Sequence, residues 1–293
     1  MTDGMTPTMR PASTDTSVLA GRTAIISGAS RGIGAAIATA LAAAGVNVVL
    51  FAKSGTDTPG RLPGSVHDVA DEIRALGGAV LPHVGDLRND ADIEAVVAAA
   101  VVEFGGLDIV VNNAASFDMT PTAKMSMKRY DLLHQINTRG AFALTRAALP
   151  HLVQSDHAHV LTISPPLTLD PKWLGPHTAY TVSKYAMSLM TLGLAAELAS
   201  TPVAANSLWP SVSVATEAIR TILGDEVASA RSRTPRVMAD AALEILRRSP
   251  CDRTGQLMTD EDVLRGAGVT DLSVYRLGDA EDDLSPSWFL PEA

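Results

Sequence analysis

Tyr180 and Lys184 stand four residues apart in the run Ala179-Tyr180-Thr181-Val182-Ser183-Lys184. On a helix, side chains at that spacing share a face. A phenol with a pKa of about 10 is only roughly 0.1% ionised at neutral pH, and a nearby ammonium favours the phenolate. The pair can therefore give a proton to a carbonyl oxygen or take one from an alcohol. A bare Tyr-x-x-x-Lys is also what a solvated helix face presents, so its meaning depends on what lies upstream. There the run Thr23-Ala-Ile-Ile-Ser27-Gly28-Ala-Ser30-Arg31-Gly32-Ile33-Gly34 leads into an alanine-rich stretch ending at Gly45. An apolar strand, a glycine turn and a helix in succession make a phosphate-binding element. Backbone N–H groups and the positive helix end face an anion, and the missing side chains let a pyrophosphate come close.

Charge then discriminates between dinucleotides. Folds that hold NAD place a carboxylate near the end of the second strand to bind the ribose hydroxyls. Here that region is Ala52-Lys53, with no acid, and Arg31 lies inside the glycine turn. Two cations suit a 2′-phosphate through charge-assisted hydrogen bonds. NADP(H) is therefore the expected cofactor, with NAD(H) as the alternative.

These groups need a scaffold, and the hydrophobic pattern supplies one. After the first strand, residues 46–52, 79–84, 107–111, 159–163, 202–209 and 255–259 read as further strands. Residues 68–76, 91–104, 127–152, 179–199 and most of 216–248 read as helices, with loops such as 53–67 between them. The strands are apolar throughout rather than alternating, which argues for burial on both faces. The expected fold is α/β: a single Rossmann-type, doubly wound parallel sheet of about seven strands with helices on both faces. Residues 1–18, rich in Thr, Ser, Pro and Met without periodicity, are expected to be a disordered arm. Residues 19–293 are expected to form the one nucleotide-binding domain.

Composition narrows the function. The chain has 293 residues, is 46% hydrophobic, carries a net charge of −9 and shows no basic run, so a nucleic-acid partner is not expected. No apolar stretch is long enough to span a membrane, the N-terminus lacks a signal-peptide core, and the one cysteine, Cys251, suits a reducing cytoplasm. His157 and His159 have no third ligand at usable spacing. A surface turn is expected there, and no metal site.

Taken together, Ser27-Gly28-x-x-x-Gly32-Ile33-Gly34, Asn112-Asn113-Ala114, Asn137 and Tyr180-x-x-x-Lys184 occur in an order that resembles the short-chain dehydrogenase/reductase family over about residues 19–260. The resemblance implies an oxidoreductase that moves a hydride between a nicotinamide and a carbonyl or secondary alcohol. It implies Tyr180 as general acid/base, and Lys184 as its modulator and a ligand of the nicotinamide ribose. Asn137 would hold a water that relays protons. Asp86 and Leu87 would flank the adenine, Asn113 and Ala114 would support the cofactor, and Pro210 to Thr216 would meet the nicotinamide amide. Ser211 stands where glycine is usual. The family's serine falls thirteen residues before the tyrosine, which here is Leu167; Ser164, sixteen before, is the candidate to hold the substrate oxygen, with Thr162 and Thr178 as alternatives. The runs Ser164-Pro165-Pro166-Leu167, Lys172-Trp173, Leu208-Trp209-Pro210 and Asp260-Glu261 resemble a narrower branch, which implies lipid-like or steroid-like carbonyls. Family habit implies a homodimer or homotetramer through the helices near 91–104, 127–150 and 179–199.

Several points stay open. Trp173 and Trp209 suit a pocket or a core equally, and residues 214–236 would form a lid. Trp288-Phe289-Leu290 would dock on its own domain or on a neighbouring subunit, since a free apolar tail is costly. The displaced serine leaves room for a nucleotide-binding scaffold with weak catalysis, or for a lyase or isomerase.

Overall fold

The computed structural model describes residues 17–55, 62–278 and 280–290. Most of the expected N-terminal arm, residues 1–16, lies outside the described residues; Ser17–Leu19 form a turn of 3₁₀ helix with Leu19 buried.

Strands β1 (Thr23–Ser27), β2 (Asn47–Ala52), β3 (Val80–Val84), β4 (Ile109–Asn112), β5 (Ala158–Ile163), β6 (Val203–Trp209) and β7 (Leu257–Thr259) form one parallel sheet in the order β3-β2-β1-β4-β5-β6-β7. The first five link through helices α1 (Gly32–Ala43), α2 (Val66–Ala75), α3 (Asp90–Phe104), α4 (Met127–Leu133) and α5 (Ala141–Leu152). Then come the short α6 (Pro171–Leu174), the long α7 (Thr178–Glu197), α8 (Glu217–Leu223), α9 (Asp225–Ala230), α10 (Arg236–Leu246) and α11 (Asp260–Gly266). All strands run parallel, and the strand order switches direction between β1 and β4. A ligand crevice is expected at the carboxyl ends of the strands there.

Successive strand residues feed two cores. Ala24 and Ile26 join one hydrophobic cluster with α1, α2 and α10, while Ile25 joins the other with α3 and α5. Each fully buried isoleucine contributes roughly 1.5–3 kcal/mol, so strand register is held from both sides. Local sequence sets the ends. Ser65 and Asp68 make a capping box that starts α2. Asn89 accepts from the Ala91 N–H to start α3, and Gly105, at φ 82°, stops it.

The structure departs from the expectations in two places. The predicted helix 127–152 is broken by a π-helical stretch, His134–Gly140, between α4 and α5. Residues 216–248, expected to be mostly helical, hold α8, α9 and α10. The His157-Ala158-His159 run is no surface turn: both histidines are buried at the start of β5. Their Nε2 atoms donate to the carbonyls of Leu246 and Arg248, at 2.7 and 3.1 Å. Burial drives the His159 pKa down to about 3, which keeps that ring neutral. Burial and the end of α10 therefore decide their role, and neither is visible in local sequence.

Candidate active site

A cleft of about 580 Å³ runs along the carboxyl ends of β1, β2, β4 and β6. One end is the glycine turn. Gly28 (φ 69°) and Gly32 (φ 57°) adopt left-handed backbone that favours glycine. A Cβ on Gly34 would fall 2.4 Å from Asn113 Nδ2 and 2.5 Å from the Gly28 carbonyl, so that position admits no side chain. Asn113 is a strut: its Nδ2 donates to the Ser27 and Gly28 carbonyls at 2.9 and 3.2 Å. Ser27 Oγ accepts from the N–H groups of Asn113 and Ala114, both at 3.1 Å, and donates to the Val111 carbonyl. The turn is thus tied to β4. Helix α1 starts at Arg31 with no side-chain cap, so its first N–H groups can serve an anion. The tight turn and uncapped helix fit a dinucleotide's phosphates.

Every residue expected to bind the cofactor lines this cleft except Gly34: Ser27, Gly28, Ser30, Arg31, Gly32, Ile33, Lys53, Asp86, Leu87, Asn113, Ala114, Tyr180, Lys184, Pro210 and Thr216. Gly34 acts from behind, through the close approach just described. The polar groups carry further ties that sequence did not show. The Arg31 guanidinium donates to the carbonyls of Leu62, Pro63 and Gly64, at 2.6–2.9 Å, and to Ser54 Oγ at 3.1 Å. It therefore pins the loop after β2 beside the turn. Asp86 sits 4.0 Å from Lys53 Nζ and is held by Arg88, whose hydrogen bonds keep its carboxyl below the usual range. Thr216 caps α8. Glu217 was missed: it lines the cleft near Gly32, and its Oε2 is buried without a hydrogen-bond partner.

Tyr180 and Lys184, both on α7, form the other end. They share a face as expected, but the ammonium does not sit on the phenol. Lys184 Nζ donates to the Ile163 carbonyl at 2.5 Å and lies 5.1 Å from the centre of the Trp209 ring. Burial dominates both groups: it raises the Tyr180 pKa and brings the Lys184 pKa down to about 7. The expected lowering of the phenol pKa is therefore not produced by protein groups alone.

Asn137 is buried in the π-helical stretch, outside the cleft lining. Its amide is fully engaged: Oδ1 accepts from Ser116 N at 2.7 Å, and Nδ2 donates to the Ser116 carbonyl and to Ser183 Oγ, both at 3.0 Å. It links the chain after β4 to the turn of α7 that carries Tyr180. Ser164 also lies outside the lining, just past Ile163. Its Oγ is buried without a partner, as is that of Thr162. Of the alternatives, Thr178 is exposed and donates to the carbonyls of Leu174 and Gly175.

Around Tyr180 the walls are aromatic. Phe117 meets Tyr180 edge-on (centroids 4.9 Å, 66°) and stacks on Trp288 (5.2 Å, 21°). The C-terminal segment docks on its own domain: Phe289 is buried among Trp173, Tyr180, Tyr185 and Trp209. Ser285, Pro286, Ser287 and Trp288 join the cleft wall. Phe117 comes three residues after Ala114 of the Asn112-Asn113-Ala114 run, a position that could have been read from sequence. The tail's apolar cluster was visible too, though its seat was not.

Residues 22–226 match the family model described as short chain dehydrogenase. Hydroxysteroid dehydrogenase-like protein 2 of Xenopus tropicalis is 44% identical over 279 residues, 95% of this chain and 66% of that protein. The chain thus spans about two thirds of that relative's length. A solved short chain dehydrogenase of Mycobacterium thermoresistibile is 45% identical, with a TM-score of 0.87 over 93% of this chain and 96% of that one. A 7α-hydroxysteroid dehydrogenase solved with NADH and 7-oxo glycochenodeoxycholic acid is 26% identical, with a TM-score of 0.71 over 83% of this chain and 94% of that one.

Proposed function

We propose, for a chain that belongs to the short chain dehydrogenase family, an NADP(H)-dependent exchange of hydride with a carbonyl or secondary alcohol of apolar, lipid-like or steroid-like character. That it is a nucleotide-dependent oxidoreductase follows from the family. The observation that carries the finer reading is the single cleft that joins the glycine turn to Tyr180 and Lys184.

When bound, the nicotinamide dinucleotide supplies or accepts the hydride. The protein orients and moves protons. The uncapped α1 and the glycine turn would hold the pyrophosphate, and Arg31 and Lys53 would supply positive charge for a 2′-phosphate. Thr216 and Pro210 hold the far end of the crevice. Tyr180 Oη gives its proton to the carbonyl oxygen in reduction, or takes it from the alcohol in oxidation. Lys184, one helical turn along and donating to the Ile163 carbonyl, would hold the nicotinamide ribose, and Asn137 fixes the geometry of α7 through Ser183. Ser164 donates to the substrate oxygen; an unpartnered buried hydroxyl otherwise costs about 1–3 kcal/mol. We read residues 19–293 as one domain.

One feature favours a second reading, a nucleotide-binding scaffold with weak turnover: Ser164 does not line the cleft. A panel of carbonyl compounds with NADPH and NADH, followed by absorbance of the reduced cofactor, separates the two. Turnover with NADPH well above NADH supports the proposal. Cofactor binding with no oxidation of either supports the scaffold.

Exposed apolar side chains on α3 (Val102), α4 (Met127), α5 (Phe142) and α7 (Val182, Leu189) support association into a dimer or tetramer. Light scattering that gives a monomer mass at micromolar concentration would refute that part. Among the described residues, no helix is long and apolar enough to cross a membrane.

A further inference from the structure

We propose that residues 284–290 form the substrate wall of the cleft and that Trp288 is its specificity-determining residue, selecting uncharged, predominantly apolar carbonyl or alcohol compounds. This rests on the oxidoreductase reading above and deepens it.

The tail is built into the site rather than draped over it. Ser213 N donates to the Ser285 carbonyl at 2.8 Å, and Ser287 N donates to the Ser211 carbonyl at 3.0 Å. Two indoles clamp the end: Trp209 Nε1 donates to the Trp288 carbonyl and Trp173 Nε1 to the Leu290 carbonyl, both at 2.9 Å. Phe289 has φ 69°, the one non-glycine residue in the left-handed region among the described residues. A bulky side chain rarely adopts that backbone. The bend sends Phe289 into the core while Trp288 stays on the cleft wall. Trp288 then stacks on Phe117, which touches the Tyr180 ring. The indole is one ring removed from the phenol.

Charge supports the same occupant. Among the described residues, the charged ones on the cleft wall are Arg31, Lys53, Asp86, Glu217 and Lys184. The first four belong to the glycine-turn end, at the carboxyl ends of β2 and β3 or against Gly32. Beside Tyr180 only Lys184 remains, with its Nζ bound to the Ile163 carbonyl. A substrate carboxylate or phosphate would find Lys184 as its one cation there, already donating to a backbone carbonyl, whereas an apolar body would meet Phe117 and Trp288.

The test uses the full chain, NADPH and a graded series of 2-alkanones together with one flat polycyclic ketone. Trp288→Ala is expected to cut kcat/KM for the largest members at least about tenfold more than for the smallest, and Trp288→Phe to restore most of it. Circular dichroism and the thermal midpoint check that both variants fold. Isothermal titration calorimetry of the longest alkanone gives a readout free of chemistry. If wild type binds that ketone in a Trp288-dependent way but turns nothing over, the oxidoreductase reading fails and the wall stands. If wild type turns the panel over and Trp288→Ala slows every member equally or none, the wall is overturned and the oxidoreductase stands. A wild-type protein that neither binds nor turns over any panel member overturns the wall as well.

Discussion

Tyr180 has its general acid/base role tested most directly by removing one oxygen. Tyr180→Phe keeps the ring packing against Phe117 and Phe289 and should lower kcat by about 10²–10⁴-fold. NADPH affinity measured by titration should hardly change; equal kcat in the two proteins would remove Tyr180 from the chemistry. Lys184 gives a pH signature. Its pKa falls from 10.5 in the unfolded chain to about 7 in the native one because burial disfavours the charge. Between those values the unfolded chain binds the extra proton, so this group's contribution to stability rises with pH across about 7 to 10.5. The thermal midpoint of wild type relative to Lys184→Met should therefore climb over that window, and a flat difference would show that the lysine is not buried. The Tyr-x-x-x-Lys spacing was legible because i and i+4 on a helix is local geometry. The protonation state was not, since it depends on desolvation by distant elements such as β5 and the C-terminal tail. Ser164 shows the same divide: its residue type was legible, while its closed-off, unpartnered hydroxyl belongs to the packed end of β5.

At the scale of elements, the turn between β1 and α1 tolerates least. Gly34→Ala places a methyl 2.4 Å from Asn113 Nδ2 and 2.5 Å from the Gly28 carbonyl. The strut that holds the phosphate turn must yield, and NADPH affinity should fall by tenfold or more in a binding titration; unchanged affinity would mean the turn does not hold the cofactor. This unit was readable from sequence because strand, glycine spacing and helix all lie within one short run. The π-helical stretch was not, since the apolar period of residues 127–152 does not distinguish an inserted residue from a regular helix. There Asn137 is committed to Ser116 and Ser183. Asn137→Ala should lower kcat more than it weakens NADPH binding, because it loosens the α7 turn that carries Tyr180. A loss confined to cofactor affinity would contradict that. The His157–His159 pair shows the opposite failure: with no third ligand in reach a surface turn was expected, yet the C-terminal end of α10 covers both rings.

Across the whole molecule, Arg233 joins parts far apart in sequence. It is fully buried and pairs with Glu261 on α11 and with Glu281 just ahead of the tail. Arg233→Met removes the cation the two carboxylates share, leaving Glu261 with Arg265 and Glu281 with Arg276, and should cost about 1–3 kcal/mol, read from denaturant unfolding. An unchanged midpoint would show that the pair stabilises nothing. The parallel order of the sheet was foreseeable from apolar strands alternating with helices. The closure of the cleft by a segment more than a hundred residues beyond Tyr180 was not, because no local pattern records which surface an apolar tail will choose. That closure has an optical consequence. The chain has three tryptophans: Trp288 lies in the C-terminal segment itself, and the Trp173 and Trp209 indoles donate to that segment's carbonyls. Ultraviolet emission from this protein is therefore a local gauge of whether that one corner is shut, with no label added.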